Sequence, residues 1–283
     1  MTIRVNLVAV FRALRVAIHI GYGVLLAVYY PRFGLSARRR ILQRWCVGLL
    51  DILNVSLKIP AEDFLSALPP GLIVANHISW LDVMVLNAVI PMRFVAKSEV
   101  RNWPVIGWLA ARVKTLFIQR GKARDAVRMN RQLVDSLQDG EYLALFPEGT
   151  STDGAQVGRF HASLLQSAID AHAQVHPVAV RYQDPLGAHS TAPSYIDEMS
   201  FAASLWNVLR TDNLHVCLIA TPSLNAAGAD RRSLAQLAHS QISLAVAEKN
   251  TPPFSDQLSA EHPGEVHFQS MYGLLLLSKS SNQ

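Results

Sequence analysis

Charge is in short supply in this chain. Only 17% of the 283 residues are Asp, Glu, Lys or Arg, where a soluble domain usually carries about a quarter. Half are hydrophobic, which is apolar for a soluble enzyme yet too little for a protein built from many membrane spans. Cysteine is nearly absent. Cys46 and Cys217 both fall in apolar segments, so the sequence predicts reduced core residues in a chain facing the cytoplasm rather than a disulfide framework. No repeat of roughly 20–50 residues is visible, and no glycine fingerprint for a dinucleotide. Metal-ligand spacing is equally thin. His172 and His176 stand four apart but lead into a strand with no accompanying carboxylates, which argues against a metal hydrolase.

The charge that is present leans positive, +5 overall, and it is gathered near the apolar N-terminus. On a helix, Arg4, Arg12, Arg15 and His19 fall within about 80° of one another, a basic stripe on an otherwise apolar surface. The uninterrupted apolar stretch that follows, Ile20 to Tyr30, is eleven residues, about half of what a bilayer span takes. A cleaved signal peptide fits poorly, because Arg12 and Arg15 break the apolar region and no small-residue cleavage site follows. The expectation is an amphipathic helix in the membrane interface, arginines at lipid phosphates and Tyr22, Tyr29 and Tyr30 near head groups. A helix packed on its own domain and a tilted span are the alternatives. A second helix starts at Ser36 and carries Arg38, Arg39, Arg40 and Arg44, with Ile41, Leu42, Trp45, Leu49, Ile52 and Leu53 on its apolar side. Residues 1–54 therefore read as a membrane-associating helical hairpin. A nucleic-acid binder would spread its basic residues over a domain face, so no nucleic-acid partner is expected.

From residue 55 the pattern alternates strand and helix. Short apolar runs at Val55–Ile59, Leu72–Ala75, Arg93–Ala96, Val113–Gln119, Glu141–Phe146, Val175–Tyr182 and Leu214–Ala220 read as strands. Between them Ala123–Gln138 has one apolar side, and 231–248 reads as a final helix. This predicts an α/β domain over 55–249, a mostly parallel sheet flanked by helices, followed by a tail over 250–283.

Four stretches at strand ends carry the chemistry. Asn76-His77-Ile78-Ser79-Trp80-Leu81-Asp82 follows the buried run Leu72–Ala75 and leads into a helix for which Ser79 is the expected N-cap. His77 thus stands where ligands bind in open α/β sheets. Asp82 could reach back to one imidazole nitrogen, fixing the tautomer and freeing the other as a base. The bland alternative is a capped helix with a solvated histidine. Phe117-Ile118-Gln119-Arg120 ends a later strand with an arginine before a helix. Phe146-Pro147-Glu148-Gly149-Thr150 ends another with a carboxylate on a turn, and His176-Pro177-Val178 places a proline at the start of a third. Taken singly, each has a structural explanation. In this order and spacing they form a pattern.

That pattern resembles the glycerolipid acyltransferases, among them the 1-acyl-glycerol-3-phosphate acyltransferases. The resemblance runs from about residue 72 to 182, and the helices before it are similar to the membrane anchor of bacterial members. It implies transfer of a fatty acyl group from an acyl-coenzyme A or acyl carrier protein thioester to the free hydroxyl of a lysophospholipid, giving phosphatidate from 1-acyl-glycerol-3-phosphate. No resident cofactor or metal is implied. His77 would be the general base and Asp82 its orienting partner. Arg120, Glu148, Gly149 and Thr150 would bind the acceptor, Arg120 being suited on physical grounds to a phosphate at a helix N-terminus. The chain departs from the family pattern in two places. Ser151 stands where many lysophosphatidate enzymes have arginine, and His161 follows Arg159-Phe160 where a lysine is common. In these the chain is more similar to the enzymes that acylate lyso-ornithine lipid, the alternative acceptor, although Arg159 could compensate at a phosphate. The resemblance also implies the cytoplasmic face of a bacterial inner membrane, monotopic or with a single span. A membrane-lipid binder without catalysis is the reading from another class, and the intact His77 and Asp82 argue against it.

Overall fold

The computed structural model describes residues 2–58, 68–118 and 123–248, which form one compact unit. The expected tail from residue 250, the end of the first strand at Ile59, and Arg120 lie outside the described residues.

Two helices open the chain, α1 (Thr2–Tyr29) and α2 (Leu35–Leu53), joined by a short 3₁₀ turn at Tyr30–Arg32. Strand β1 (Val55–Lys58) follows, then β2 (Leu72–Ala75), helix α3 (Leu81–Val89) and β3 (Arg93–Lys97). Next come α4 (Ile106–Arg112), β4 (Leu116–Ile118), α5 (Ala123–Gln138) and β5 (Leu143–Leu145). The remainder is α6 (Gln166–Asp170), β6 (Gln174–Gln183), α7 (Phe201–Arg210), β7 (Leu214–Ala220), β8 (Leu224–Asn225) and α8 (Arg231–Ala247). The strands form one sheet in the order β1-β7-β6-β2-β5-β3-β4, with β8 on β6.

All of β2 is buried, which explains its unbroken apolar sequence. It lies parallel to β5 on one side and β6 on the other, Val74 facing Leu145 and Pro177. The sheet is mixed rather than purely parallel, because β7 and β8 both run antiparallel to β6. Alternation along the strands assigns each residue to one of two helical layers. Ile73, Ala75, Val178, Val180 and Tyr182 pack with residues of α1, α2, α3 and α7. Leu72, Val74, Leu143, Leu145 and Ala179 pack with α5, α6 and α8. Cys46 and Cys217 are free thiols buried in the interior, and burial pushes both up from the usual thiol range.

The N-terminal helices depart from expectation. Of the two, α1 alone is long and apolar enough to cross a membrane by length and composition. Helix α2 instead belongs to the domain, its Cys46, Leu49, Leu50, Ile52 and Leu53 lying in the core. A clear membrane hairpin is therefore not what the sequence builds. The basic stripe of α1 also points away from where lipid phosphates were expected. Arg12 donates to the carbonyls of Leu209 (3.1 Å) and Thr211 (2.8 Å) at the end of α7, with Asp212 at 3.5 Å. Arg15 pairs with Asp51 at 3.8 Å. His19 stacks on Trp45 and meets its carbonyl at 2.9 Å, while the Trp45 indole donates back to the carbonyl of His19. Unpaired carbonyls at a helix C-terminus are good partners for a guanidinium, better than a distant phosphate would be. The close approach requires Gly23, since a Cβ there would lie 2.5 Å from the Trp45 indole nitrogen. With Arg12 and His19 turned inward and Arg4 and Arg15 left exposed, a further face is uncovered: Leu7, Phe11, Leu14, Ile18, Tyr22 and Leu25 are each at least half exposed.

Candidate active site

The chain leaves β2 at Ala75, and the next seven residues are held almost entirely by hydrogen bonds. Asn76 is buried and pairs with β6, its amide oxygen taking the Val180 N–H (2.7 Å) and its amide nitrogen donating to the Val180 carbonyl (3.0 Å). Helix α3 begins at Leu81, two residues after the expected cap. Ser79 contributes by accepting from the Leu81 N–H through Oγ (3.2 Å) and from the Asp82 N–H through its carbonyl (3.1 Å).

Asp82 lies in the first turn of α3 and is fully buried. One carboxylate oxygen, Oδ2, accepts from the N–H groups of Ile78 (2.8 Å) and Ser79 (2.9 Å) and lies 2.8 Å from Nδ1 of His77. The other, Oδ1, accepts from the Tyr182 hydroxyl at 2.8 Å. Four donors around one carboxylate offset the cost of burying its charge. Since a carboxylate only accepts, the proton of the His77 ring sits on Nδ1 and Nε2 keeps its lone pair. Burial and the neighbouring Asp82 charge hold the Tyr182 phenol well above its ordinary range, so it stays a donor.

His77 is fixed by every group it owns except Nε2. Its ring stacks on Phe146, centroids 4.1 Å apart and planes within 8°. Its N–H donates to Glu148 Oε1 at 2.7 Å, and its carbonyl accepts from the Thr152 N–H at 2.8 Å. The side chain keeps 23% of its exposure. No partner for Nε2 occurs among the described residues. A rigid imidazole with one free, partly exposed nitrogen can take a proton from a group brought to it.

Glu148, expected at the acceptor, holds a backbone N–H group of its own chain on each oxygen. Oε1 accepts from His77 N–H and Oε2 from Gly158 N–H, each at 2.7 Å. Glu148 is buried, and burial pushes its carboxyl above the ordinary value while the two N–H bonds pull it back. Gly158 is obligatory here, because a Cβ would come within 2.5 Å of Oε2. Glutamine at position 148 keeps the shape but replaces one acceptor by a donor. Glu148→Gln is expected to cost about 1–3 kcal/mol of stability and to loosen His77, read as a lower melting temperature with a reduced kcat.

Gly149, in a left-handed conformation at φ 68°, turns the chain out of β5. Thr150 is exposed just beyond it, and Arg159 is exposed directly after Gly158. Arg120, expected beside them, lies outside the described residues, β4 being described as far as Ile118. The Ser151 hydroxyl donates to the Tyr195 carbonyl, and Tyr195 N–H donates to the carbonyl of Ile78 at 3.0 Å. His176 is far from this set. It is buried with one ring nitrogen 2.7 Å from the Ser223 hydroxyl and the other 3.0 Å from the Pro69 carbonyl. Residues 57–181, which hold all of these site groups except Tyr182 and Tyr195, match the family model described as "Acyltransferase". A lyso-ornithine lipid O-acyltransferase of Pseudomonas aeruginosa is 35% identical over 209 residues, covering 74% of this chain and 79% of that protein.

The chain belongs to this acyltransferase family. It is therefore an acyltransferase, and the non-catalytic lipid-binder reading falls away. The family contains more than one kind of enzyme by name. A 1-acyl-sn-glycerol-3-phosphate acyltransferase of Neisseria meningitidis is 38% identical over 172 residues, 60% of this chain and 66% of the relative. Among solved structures, the 1-acyl-sn-glycerophosphate acyltransferase of Thermotoga maritima superposes with a TM-score of 0.66 over 93% of this chain and 99% of that one. At 18% identity that likeness speaks for the fold alone. The expected contact between His77 and Asp82 is formed, whereas the groups that hold the pair were not legible in the sequence. Tyr182 shares a face with Val178 and Val180, so its period along β6 was the available signal. Nothing in the spacing of Glu148 and Gly158 announced their bond.

Proposed function

We propose that the acyltransferase moves a fatty acyl group from a coenzyme A or acyl carrier protein thioester to the free hydroxyl of a lysolipid, with His77 as general base and Asp82 as its orienting partner. The observation that carries this is the Nδ1–Asp82 bond, which leaves Nε2 as the free acceptor. The acceptor hydroxyl gives its proton to Nε2 as its oxygen attacks the thioester carbonyl. The C–O bond forms, the C–S bond breaks, and the proton passes to the leaving thiolate. Tyr182 steadies Asp82, and Glu148 holds the His77 backbone. Gly149, Thr150, Arg120 and Arg159 are our candidates for contacting the acceptor.

The outward apolar face of α1 supports a monotopic enzyme on the cytoplasmic face of a bacterial inner membrane. Ala9, Val16 and Ala27 are buried, so one side of the helix rests on the domain at these points. A helix crossing the bilayer would draw that part of the domain into hydrocarbon, whereas one lying in the interface immerses only its apolar side.

Between the two acceptors, the bond from Ser151 to the Tyr195 carbonyl favours lyso-ornithine lipid, because the position after Thr150 then offers no cation to a phosphate. Lysophosphatidate remains the second reading, supported by the Neisseria relative and by the exposed Arg159. Purified enzyme given a labelled acyl thioester and each lysolipid separately decides between them. Transfer mainly to lyso-ornithine lipid is expected; transfer to lysophosphatidate alone would reverse the assignment.

A further inference from the structure

A second feature lies at the other edge of the sheet from His77, at the N-terminal ends of β2, β3 and β5. There the elbow between α1 and α2 meets the starts of β3 and β5 and leaves a cleft of about 50 Å³. Its polar lining is Arg38, Arg39, Arg93, Lys114 and Glu141, four cations against a single carboxylate. Two of the cations are already committed. Arg93 binds Glu141 and the Ser136 hydroxyl, each at 2.5 Å, and Arg38 donates to the elbow carbonyls of Tyr30 and Pro31. That pairing holds the Glu141 carboxyl below its usual range despite burial.

The other two make no ion pair among the described residues, Lys114 acting on Glu141 only through its charge. Arg39 lies half-buried over the Tyr142 ring, its guanidinium carbon 5.8 Å from the centroid, and Lys114 is exposed. A guanidinium placed on an aromatic ring is pre-organised and still has donors to offer. The rim of the cleft is apolar and faces outward. Leu35 is 55% exposed, and Phe33 and Tyr29 beside it continue the uncovered face of α1.

We propose that this cleft binds the phosphate of an anionic phospholipid of the membrane on which α1 lies. The inference rests on the membrane reading of α1 given above. Such cations at the margin of a lipid-immersed face sit at head-group depth, where each is worth on the order of 1 kcal/mol toward an anionic surface. Arg39 and Tyr142 form the wall against which a phosphate seats, and Lys114 closes the opposite side. The site belongs to membrane placement and stands apart from the acyl-transfer chemistry.

The test uses the full chain, mixed with neutral phosphatidylcholine vesicles or with vesicles containing about a quarter phosphatidylglycerol, and scored by flotation. The wild type should partition into neutral vesicles through α1, and about tenfold more strongly into anionic ones. Arg39→Glu with Lys114→Glu should abolish the anionic gain while leaving neutral partition intact. Arg40→Glu with Arg44→Glu removes the same charge from exposed positions on α2 and should keep most of the gain. Arg39→Gln with Lys114→Gln is the milder pair should the reversal fail to fold. Equal loss in both reversals would mean diffuse surface attraction and overturn the site. So would an unaltered gain in the first pair. Binding of inorganic phosphate that requires Arg39 and Lys114, beside an anionic gain that does not require them, would assign the cleft to free phosphate and overturn the lipid assignment. Failure of the wild type to partition into neutral vesicles would instead strike at the membrane reading of α1.

Discussion

Alanine at position 77 is expected to lower acyl transfer by roughly 10²–10⁴-fold, the usual weight of a positioned general base. The fall should appear in kcat, with little change in KM. His77 is anchored through its backbone to Glu148 and Thr152, and neither contact depends on the imidazole. The ring itself contributes the stack on Phe146 and the bond to Asp82, so a modest loss of stability accompanies the substitution. Steady-state kinetics beside thermal unfolding separate the two effects. A well-folded His77→Ala protein with near-normal kcat would mean that the proton goes elsewhere.

Asparagine at position 82 is expected to be nearly as damaging, for a different reason. The carboxylate makes four acceptor contacts, to His77, Ile78, Ser79 and Tyr182. An amide supplies one accepting oxygen and one donating nitrogen: with the oxygen toward His77, Ile78 and Ser79 its nitrogen must donate to the Tyr182 oxygen and the hydroxyl loses its acceptor, and with the nitrogen on that side it faces three donors. The cost is about 1–3 kcal/mol. The larger consequence concerns the imidazole. With the oxygen toward His77, an uncharged amide no longer stabilises the imidazolium that forms as the proton is taken; with the nitrogen there, Nδ1 must accept, Nε2 carries the proton and the base is lost, and losses of up to the order of 10⁴-fold follow from such a change elsewhere. Tyr182→Phe leaves Asp82 with three donors and should be much milder. Comparing kcat and melting temperature for both variants checks the order.

Much of the fold was legible because the sequence pattern and the burial pattern coincide. Leu72–Ala75 is an unbroken apolar run because β2 is covered on both faces. In helix α5 the expected apolar side holds in part, Leu133 and Leu137 entering the core with Met129 while Val127, expected with them, is exposed. The expected strand from Val113 begins instead at Leu116, since α4 extends to Arg112 and Lys114 takes a left-handed turn at φ 62°. Helix α4 is seven residues long, too short to show a period. The antiparallel placement of β7 depends on the connection through α7, and strand composition carries no sign of direction. At the site, the near neighbours His77 and Asp82 were legible because only four residues separate them. Glu148 with Gly158 was not, because it closes within one irregular loop that carries no period, and Asn76 with Val180 and Asp82 with Tyr182 were not, because the sheet sets β6 beside residues about a hundred positions earlier. Arg12 is the same case: its stripe was visible, but its partners at Leu209 and Thr211 lie nearly 200 residues away and turned it from lipid to protein.

The central claim is direct transfer to a lysolipid hydroxyl, assisted by His77, with no acyl group resting on the protein. The most direct test incubates the purified chain with a labelled acyl thioester, with and without a lysolipid acceptor, and locates the label after denaturation. The account predicts label in a diacyl product only when acceptor is present, none bound to protein, and almost none in product with His77→Ala. Label retained on denatured protein in the absence of acceptor, or product formation undiminished by that substitution, would contradict it.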